Sequence, residues 1–166
     1  MKREEDHKFM REALKEALKA KKKDEVPIGA VVVHKGAVIG RGHNRKESAH
    51  DPVSHAELIA VRAASKKLGA WRLSDTTLYV TLEPCLMCMG AVIQARIPRL
   101  VFAAYDPKAG ACGSLYDISR DARLNHRVSV TTGLCEAEAG ELLKGFFSAL
   151  RSRKKQLKKD RPGGGV

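Results

Sequence analysis

The sequence predicts an α/β domain in which a mixed β-sheet is covered by helices on both faces. Three observations predict it. The chain opens with an amphipathic helical pattern, continues with two β-branched runs around Lys35-Gly36, and then alternates strand and helix signals to its end. A hairpin gives antiparallel neighbours and strand–helix alternation gives parallel ones, so the sheet is mixed. With 166 residues, 43% of them hydrophobic, the chain suffices for one domain with a real core.

The first helix is read over residues 4–22, where Phe9, Met10, Ala13, Leu14, Ala17 and Leu18 recur at helical spacing, and Pro27 ends it. Residues 28–34 and 37–42 are β-branched or small, with Lys35-Gly36 as a two-residue hairpin turn. Asp51-Pro52-Val53-Ser54 introduces a second helix, with Ser54 as its N-cap, running to about Lys67. Residues 77–81 (Thr-Leu-Tyr-Val-Thr) read as a strand. Pro84 opens a third helix as an early-turn proline, and this helix ends before Pro98. Residues 100–104 and, after a glycine-containing loop through Ser114, residues 126–132 supply the fourth and fifth strands. The last helix begins at Glu136 and runs to about Lys154. This gives a single domain over residues 1–155 and a basic, glycine-rich tail over residues 156–166, expected to be disordered.

Net charge is +12 and unevenly spread. Residues 144–166 hold eight basic side chains and one acid, which is +7 of the total. A basic arm of this kind suits a polyanionic partner, above all a nucleic acid, although it also reads as a solvated end. No apolar run approaches the roughly 18 residues that span a bilayer, so no membrane association is expected. The charged start, Met1-Lys2-Arg3-Glu4-Glu5-Asp6, lacks the apolar segment of a secretory signal, and a cytoplasmic location is expected. In that compartment Cys85, Cys88, Cys112 and Cys135 stay reduced. Cys112 and Cys135 have no partner at ligand spacing and read as small apolar residues.

The chemistry concentrates in His55-Ala56-Glu57 and Pro84-Cys85-Leu86-Met87-Cys88. Cys85 and Cys88, three apart at a helix start, turn both sulfurs to one side, where the helix dipole and a metal ion favour thiolates. With His55 they make three ligands. Zinc takes four, so one position stays open for water, as in catalytic rather than structural sites. Glu57 is the one carboxylate in the group and is suited to carrying protons. The alternatives are ordinary. Ser54 to Glu57 also matches a helix capping box, Cys-x-x-Cys could be a redox pair, and a structural zinc site would need a fourth ligand. His43, His50 and His126 stand alone. One geometric condition follows: residues two apart on a helix point roughly 200° apart, so His55 and Glu57 share a site only off the helix N-terminus.

Together the two segments give H-x-E followed by P-C-x-x-C, the pattern of the zinc deaminases that act on nucleobases. The likeness extends over about residues 5–153. Glu25-Val26-Pro27-Ile28-Gly29-Ala30-Val31, Gly42-His43-Asn44-Arg45, His50 through Glu57, Thr81-Leu82-Glu83-Pro84-Cys85, Asp106 through Ala111, Asn125-His126-Arg127-Val128 and Gly145-Phe146-Phe147 resemble the bacterial tRNA-specific adenosine deaminases. The resemblance implies a three-layer α/β/α sandwich around a five-stranded mixed sheet, the cytidine deaminase-like fold. It implies one zinc per chain on His55, Cys85 and Cys88, with Glu57 as the catalytic proton carrier. It further implies a homodimer that converts the wobble adenosine of a tRNA anticodon, arginine tRNA foremost, to inosine with release of ammonia. Attack falls on C6 of adenine, with Glu57 protonating N1 and then the leaving amine.

By position, the resemblance places Asn44 against the target nucleoside, Val26, Pro27 and Ile28 around the base pocket and the Ala56 backbone on the base edge. Asp106 is placed on the flanking nucleotide and Phe147 beside the RNA groove. Ser148 and Tyr105 stand where some members carry arginine, and the basic cluster here begins at Arg151. The competing readings are a free nucleoside or base deaminase of cytidine or guanine type, which has no use for a basic tail, and a zinc-stabilised RNA-binding module without catalysis.

Overall fold

The structure, a computed structural model, describes residues 2–160. The element order is α1 Lys2–Lys22, β1 Gly29–His34, β2 Ala37–His43, α2 Lys46–Ala49, α3 Ala56–Leu68, β3 Thr76–Leu82, α4 Leu86–Gln94, β4 Arg99–Ala104, β5 Ser129–Thr132 and α5 Glu136–Lys159. The five strands form one sheet in the order β2-β1-β3-β4-β5. β1 runs antiparallel to both β2 and β3, whereas β3–β4 and β4–β5 are parallel. The sheet is therefore mixed. At the hairpin both turn residues take positive φ, 48° at Lys35 and 74° at Gly36, the backbone that matches strand twist.

Strand alternation divides the core into two layers. Ala30, Val32, Leu78, Val80, Leu100 and Phe102 point to the face covered by α3 and α4, with Ala56, Ala60, Ala64, Met89, Val92 and Ile93. Val31, Val33, Tyr79, Val101 and Ala103 point to the opposite face, under Phe9, Met10, Ala13 and Leu14 of α1 and Ala139 of α5. The result is the expected three-layer sandwich. A Cβ at Gly42 would run into the Ala56 carbonyl, and one at Gly40 into the Ala60 carbonyl, so these two glycines let α3 lie directly on β2.

A buried clasp ties α1 to the sheet centre. Asp6 accepts both Arg99 guanidinium nitrogens at 2.7 Å and the Tyr79 hydroxyl at 2.7 Å. The arrangement is bidentate and charge-assisted, the stronger kind of hydrogen bond.

Several expectations need correction. Leu18 is exposed rather than part of the apolar face. The second expected helix starts at Ala56 with His55, not Ser54, as N-cap, because Ser54 is spent on Asp51: its N–H donates to the Asp51 carbonyl at 3.2 Å and its hydroxyl to Oδ2 at 2.6 Å. The third begins at Leu86 with Cys85 as N-cap, and Pro84 lies outside it. Pro84–Cys85 is held extended by the Ala111 N–H on the Pro84 carbonyl and by a Cys85–Gly110 bridge. The fifth strand is shorter than expected, since the His126 ring instead meets the Ile97 carbonyl at 2.8 Å. The one-turn α2 carries no apolar periodicity and is not visible in the sequence. Residues 156–159, expected to be disordered, continue α5, because Gln, Leu and Lys are good helix formers and no breaker precedes Pro162. The expected disorder at Arg161-Pro162-Gly163-Gly164-Gly165 lies outside the described residues.

Candidate active site

Two helix starts bring the chemistry together. His55 is the N-cap of α3, Cys85 is the N-cap of α4, and Cys88 lies in the first turn of α4. His55 has extended backbone angles, φ −82° and ψ 148°, so its ring leaves the helix axis and can share a site with Glu57 two residues on. This meets the geometric condition set by the sequence. The His55 Nδ1 lies 3.7 Å from Cys85 Sγ and 3.5 Å from Cys88 Sγ, and all three donor atoms fall within 4.8 Å of one another. A nitrogen and a sulfur bound tetrahedrally to one zinc ion, with bonds of about 2.0 and 2.3 Å, stand about 3.5 Å apart, so the spacing fits.

The electrostatics ask for a cation. Cys85 is drawn down to about 3 by its hydrogen bond with Cys88 and by His55. Cys88 is pushed up, by that same hydrogen bond and by burial, because a second thiolate beside the first is unfavourable. The protein alone thus leaves one proton between two sulfurs, whereas a divalent ion stabilises both as thiolates. Among the described residues, His55, Cys85 and Cys88 are the group that could hold a metal, with no fourth protein ligand beside them. Cys112 sits in the core, and the Cys135 Sγ lies 3.7 Å from the His7 ring.

Glu57 is 5% exposed and stands in the first turn of α3. Burial pushes its carboxyl up to about 7, against the pull of its own backbone N–H and of His55, and it hydrogen-bonds Cys88. The capping-box alternative fails here, since the Ser54 N–H that Glu57 would bond is taken by the Asp51 carbonyl. A carboxyl poised near neutrality in contact with the His–Cys–Cys group can both take up and deliver a proton.

Around this centre the other candidates fall in two groups. Asn44, 5% exposed, is fixed at the start of α3: its Oδ1 accepts the Ala56 N–H at 2.9 Å, and its own N–H donates to the Ile28 carbonyl at 3.1 Å. The segment Val26-Pro27-Ile28 is thereby joined to the helix start, with Pro27 buried and its two neighbours half-buried. The Ala56 N–H is already committed to Asn44. Asp106 lies on the loop that reaches Cys85 through Gly110, and its Oδ1 accepts the Lys108 and Ala109 N–H groups of its own turn. Phe147 stands on α5, 40% exposed, edge-on to the buried Phe146, with no hydrogen bond or ring contact to the triad.

Two further carboxylates, to which sequence reasoning assigned no role, organise loops around the site. Glu25 is buried and accepts the Ser48 N–H at 2.6 Å and the Glu47 N–H at 3.2 Å, capping α2. Glu83 is 2% exposed and gathers donors from the loop after β4. Each lies within a segment that carries the family resemblance, and an acid beside an apolar run was the available signal.

Fold and site together define a deaminase of the cytidine deaminase-like class, and residues 4–151 match the family of MafB19-like deaminases. The chain is 47% identical to the tRNA-specific adenosine deaminase of Bacillus subtilis (strain 168) over 156 residues, covering 94% of this chain and 97% of that protein. It is 50% identical to the protein of the same name from Streptococcus pyogenes serotype M3 (strain ATCC BAA-595 / MGAS315) over 155 residues, covering 93% and 91%. A structure solved in a study of A-to-I editing by tRNA:A34 deaminases at the wobble position superposes with a TM-score of 0.78 at 47% identity, covering 81% of this chain and 98% of that one. A guanine deaminase from Nitrosomonas europaea superposes with a TM-score of 0.72 at 29% identity, covering 84% and 83%. The chain belongs to the tRNA-specific adenosine deaminase family.

Proposed function

We propose that the protein hydrolyses adenosine to inosine at the wobble position of a tRNA anticodon, with water consumed and ammonia released. The observation that carries the chemistry is the buried Glu57 carboxyl, held near neutral pH against the His55, Cys85 and Cys88 group. The substrate follows from relatives about half identical over nearly the whole chain.

His55, Cys85 and Cys88 would hold one zinc ion, which lowers the pKa of a water ligand to about 7 and so supplies a nucleophile at neutral pH. Glu57 takes the proton released as the oxygen adds to C6 of adenine and gives it to N1. It then moves the remaining proton of the added oxygen to the departing amine, and the C6–N bond breaks to release ammonia and leave the C6 carbonyl. Asn44 orients the nucleoside beside Ala56, and Val26, Pro27 and Ile28 wall the base. Asp106 and the loop around it face the flanking nucleotide. An unpaired anticodon base suits such a pocket, because it is not locked in a duplex.

The long α5 supports an RNA partner. At about 100° per residue, Phe147, Arg151, Lys154, Lys155, Lys158 and Lys159 share one side of the helix. Arg153 faces away from this stripe and pairs with Asp24 at 3.1 Å. Phosphates of the anticodon stem are the partner this stripe fits. An arginine tRNA, a homodimer and a cytoplasmic setting complete the reading on family resemblance, and no described helix is long and apolar enough to cross a membrane. Inosine formation on an arginine-tRNA anticodon stem-loop, assayed beside free adenosine, cytidine and guanine, tests the proposal. Turnover of a free base or nucleoside with none on the stem-loop would overturn it.

A further inference from the structure

We propose that Glu83 is a positioning residue that fixes the loop 106–114 as the RNA-facing wall of the site. This rests on the reading of the protein as an RNA deaminase. The Glu83 side chain is nearly inaccessible, yet it forms no ion pair among the described residues. All of its hydrogen bonds go to one loop. Its Oε2 accepts the Asp106 N–H at 3.0 Å and the Ser114 hydroxyl, and its Oε1 accepts the Cys112 N–H at 2.9 Å and the Ser114 N–H at 3.0 Å. The loop's two ends, eight residues apart, are thus pinned to a single carboxylate. Gly110, in the middle, has to be glycine, because a Cβ there would lie inside that carboxylate. The same loop bridges Cys85 through Gly110, and Ala111 bonds the Pro84 carbonyl at 2.9 Å. Its outer rim presents Asp106, Pro107, Lys108 and, just before it, the exposed Tyr105. A buried carboxylate satisfied four times by one loop has no part in proton transfer at the base. Its effect is to hold that rim in register with the reacting centre.

Glu83→Gln tests this with volume conserved. The amide keeps one acceptor oxygen but puts an NH2 group where Oε2 was; the Ser114 hydroxyl can turn to accept it, while the Asp106 N–H loses its partner. With the zinc-loaded protein, the expected result is a KM for the anticodon stem-loop raised about tenfold, as for one buried amide left unpaired, while kcat falls less than about threefold. Zinc content stays at the parent level and trypsin cuts faster after Lys108. Ser114→Ala, which removes only the hydroxyl, moves KM and cleavage in the same direction by less. A lower kcat or zinc content with KM unmoved would overturn the proposal, because Glu83 would then only support the α4 start. If the parent does not deaminate the stem-loop, the proposed function fails on its own. The cleavage rate still decides this inference, and an unchanged rate at Lys108 in both variants would sink it.

Discussion

Asn44 caps the helix that carries Glu57. Its Oδ1 holds the Ala56 N–H at 2.9 Å from twelve residues away, a place that a serine at position 54 would ordinarily fill from within the same segment. The proposed substrate pocket and the helix that carries Glu57 therefore share one side chain.

Replacing Asn44 separates these roles. Asn44→Ala should lose about 1 kcal/mol of stability, the usual worth of an N-cap, and most activity. Asn44→Asp keeps the acceptor, so urea denaturation should return it toward the parent. Its activity stays low if the side-chain NH2 touches the nucleoside. Full activity in Asn44→Asp would leave Asn44 with only the capping role.

Glu57→Ala should keep the fold and the zinc but reduce turnover by at least about a hundredfold, the usual contribution of a positioned acid–base group. Elemental analysis beside the inosine assay checks it. Loss of zinc in this variant would make Glu57 a ligand instead.

The parent should hold one zinc per chain, seen by X-ray absorption as two sulfurs and one imidazole nitrogen from the protein. Exhaustive chelation should abolish deamination, and zinc should restore it. A third sulfur, as from Cys112, would mean a closed structural site and count against catalysis.

Glu25 makes stability depend on pH in a defined direction. Burial works to raise its carboxyl, but the Ser48 N–H and hydroxyl and the Glu47 N–H outweigh it and hold the group below its ordinary value. A depressed folded value gives stability that is present above the unfolded pKa of about 4.3 and is lost as pH falls through the folded value. Glu25→Gln should therefore be less stable than the parent at neutral pH by about 1–2 kcal/mol, with the gap closing in acid. A gap that persists undiminished at about pH 2 would show that Glu25 acts by shape alone.

The basic stripe on α5 predicts a graded salt response. Removing the chain after Lys155 deletes Lys158 and Lys159 from the stripe and should flatten the plot of log affinity against log salt by up to about 1.4 to 1.8, at roughly 0.7 per contact on a single strand and 0.9 on a duplex. Arg151→Ala, Lys154→Ala and Lys155→Ala together should flatten it further. Arg153→Ala should change it least, because that side chain pairs with Asp24. Equal slopes for all variants and the parent would reduce α5 to a solubilising helix.

The elements were readable where one signal dominates. Apolar periodicity placed α1, the turn at Asp51-Pro52 introduced α3, β-branched runs placed the strands, and ligand spacing picked out His55, Cys85 and Cys88. What stayed hidden is what depends on distant partners. Ser54 is the local exception: Asp51, three residues back, competes for it and takes both its N–H and its hydroxyl. Glu25 and Glu83 received no role because their donors lie 22 to 31 residues away. The end of α5 was misjudged through its charge, which says nothing against helix when the residues are Lys, Gln and Leu.

The Asp6 clasp makes the two ends of the chain unequal to anyone cutting or extending the protein. The last turns of α5 are exposed, so a tag or deletion there leaves the packed core untouched. A deletion that reaches Asp6 at the other end takes away the only carboxylate that the clasp gives Arg99, and strands a guanidinium and a phenol beneath the first helix. Such a chain keeps every residue of its reaction centre but loses the clasp that fastens its first helix to the sheet.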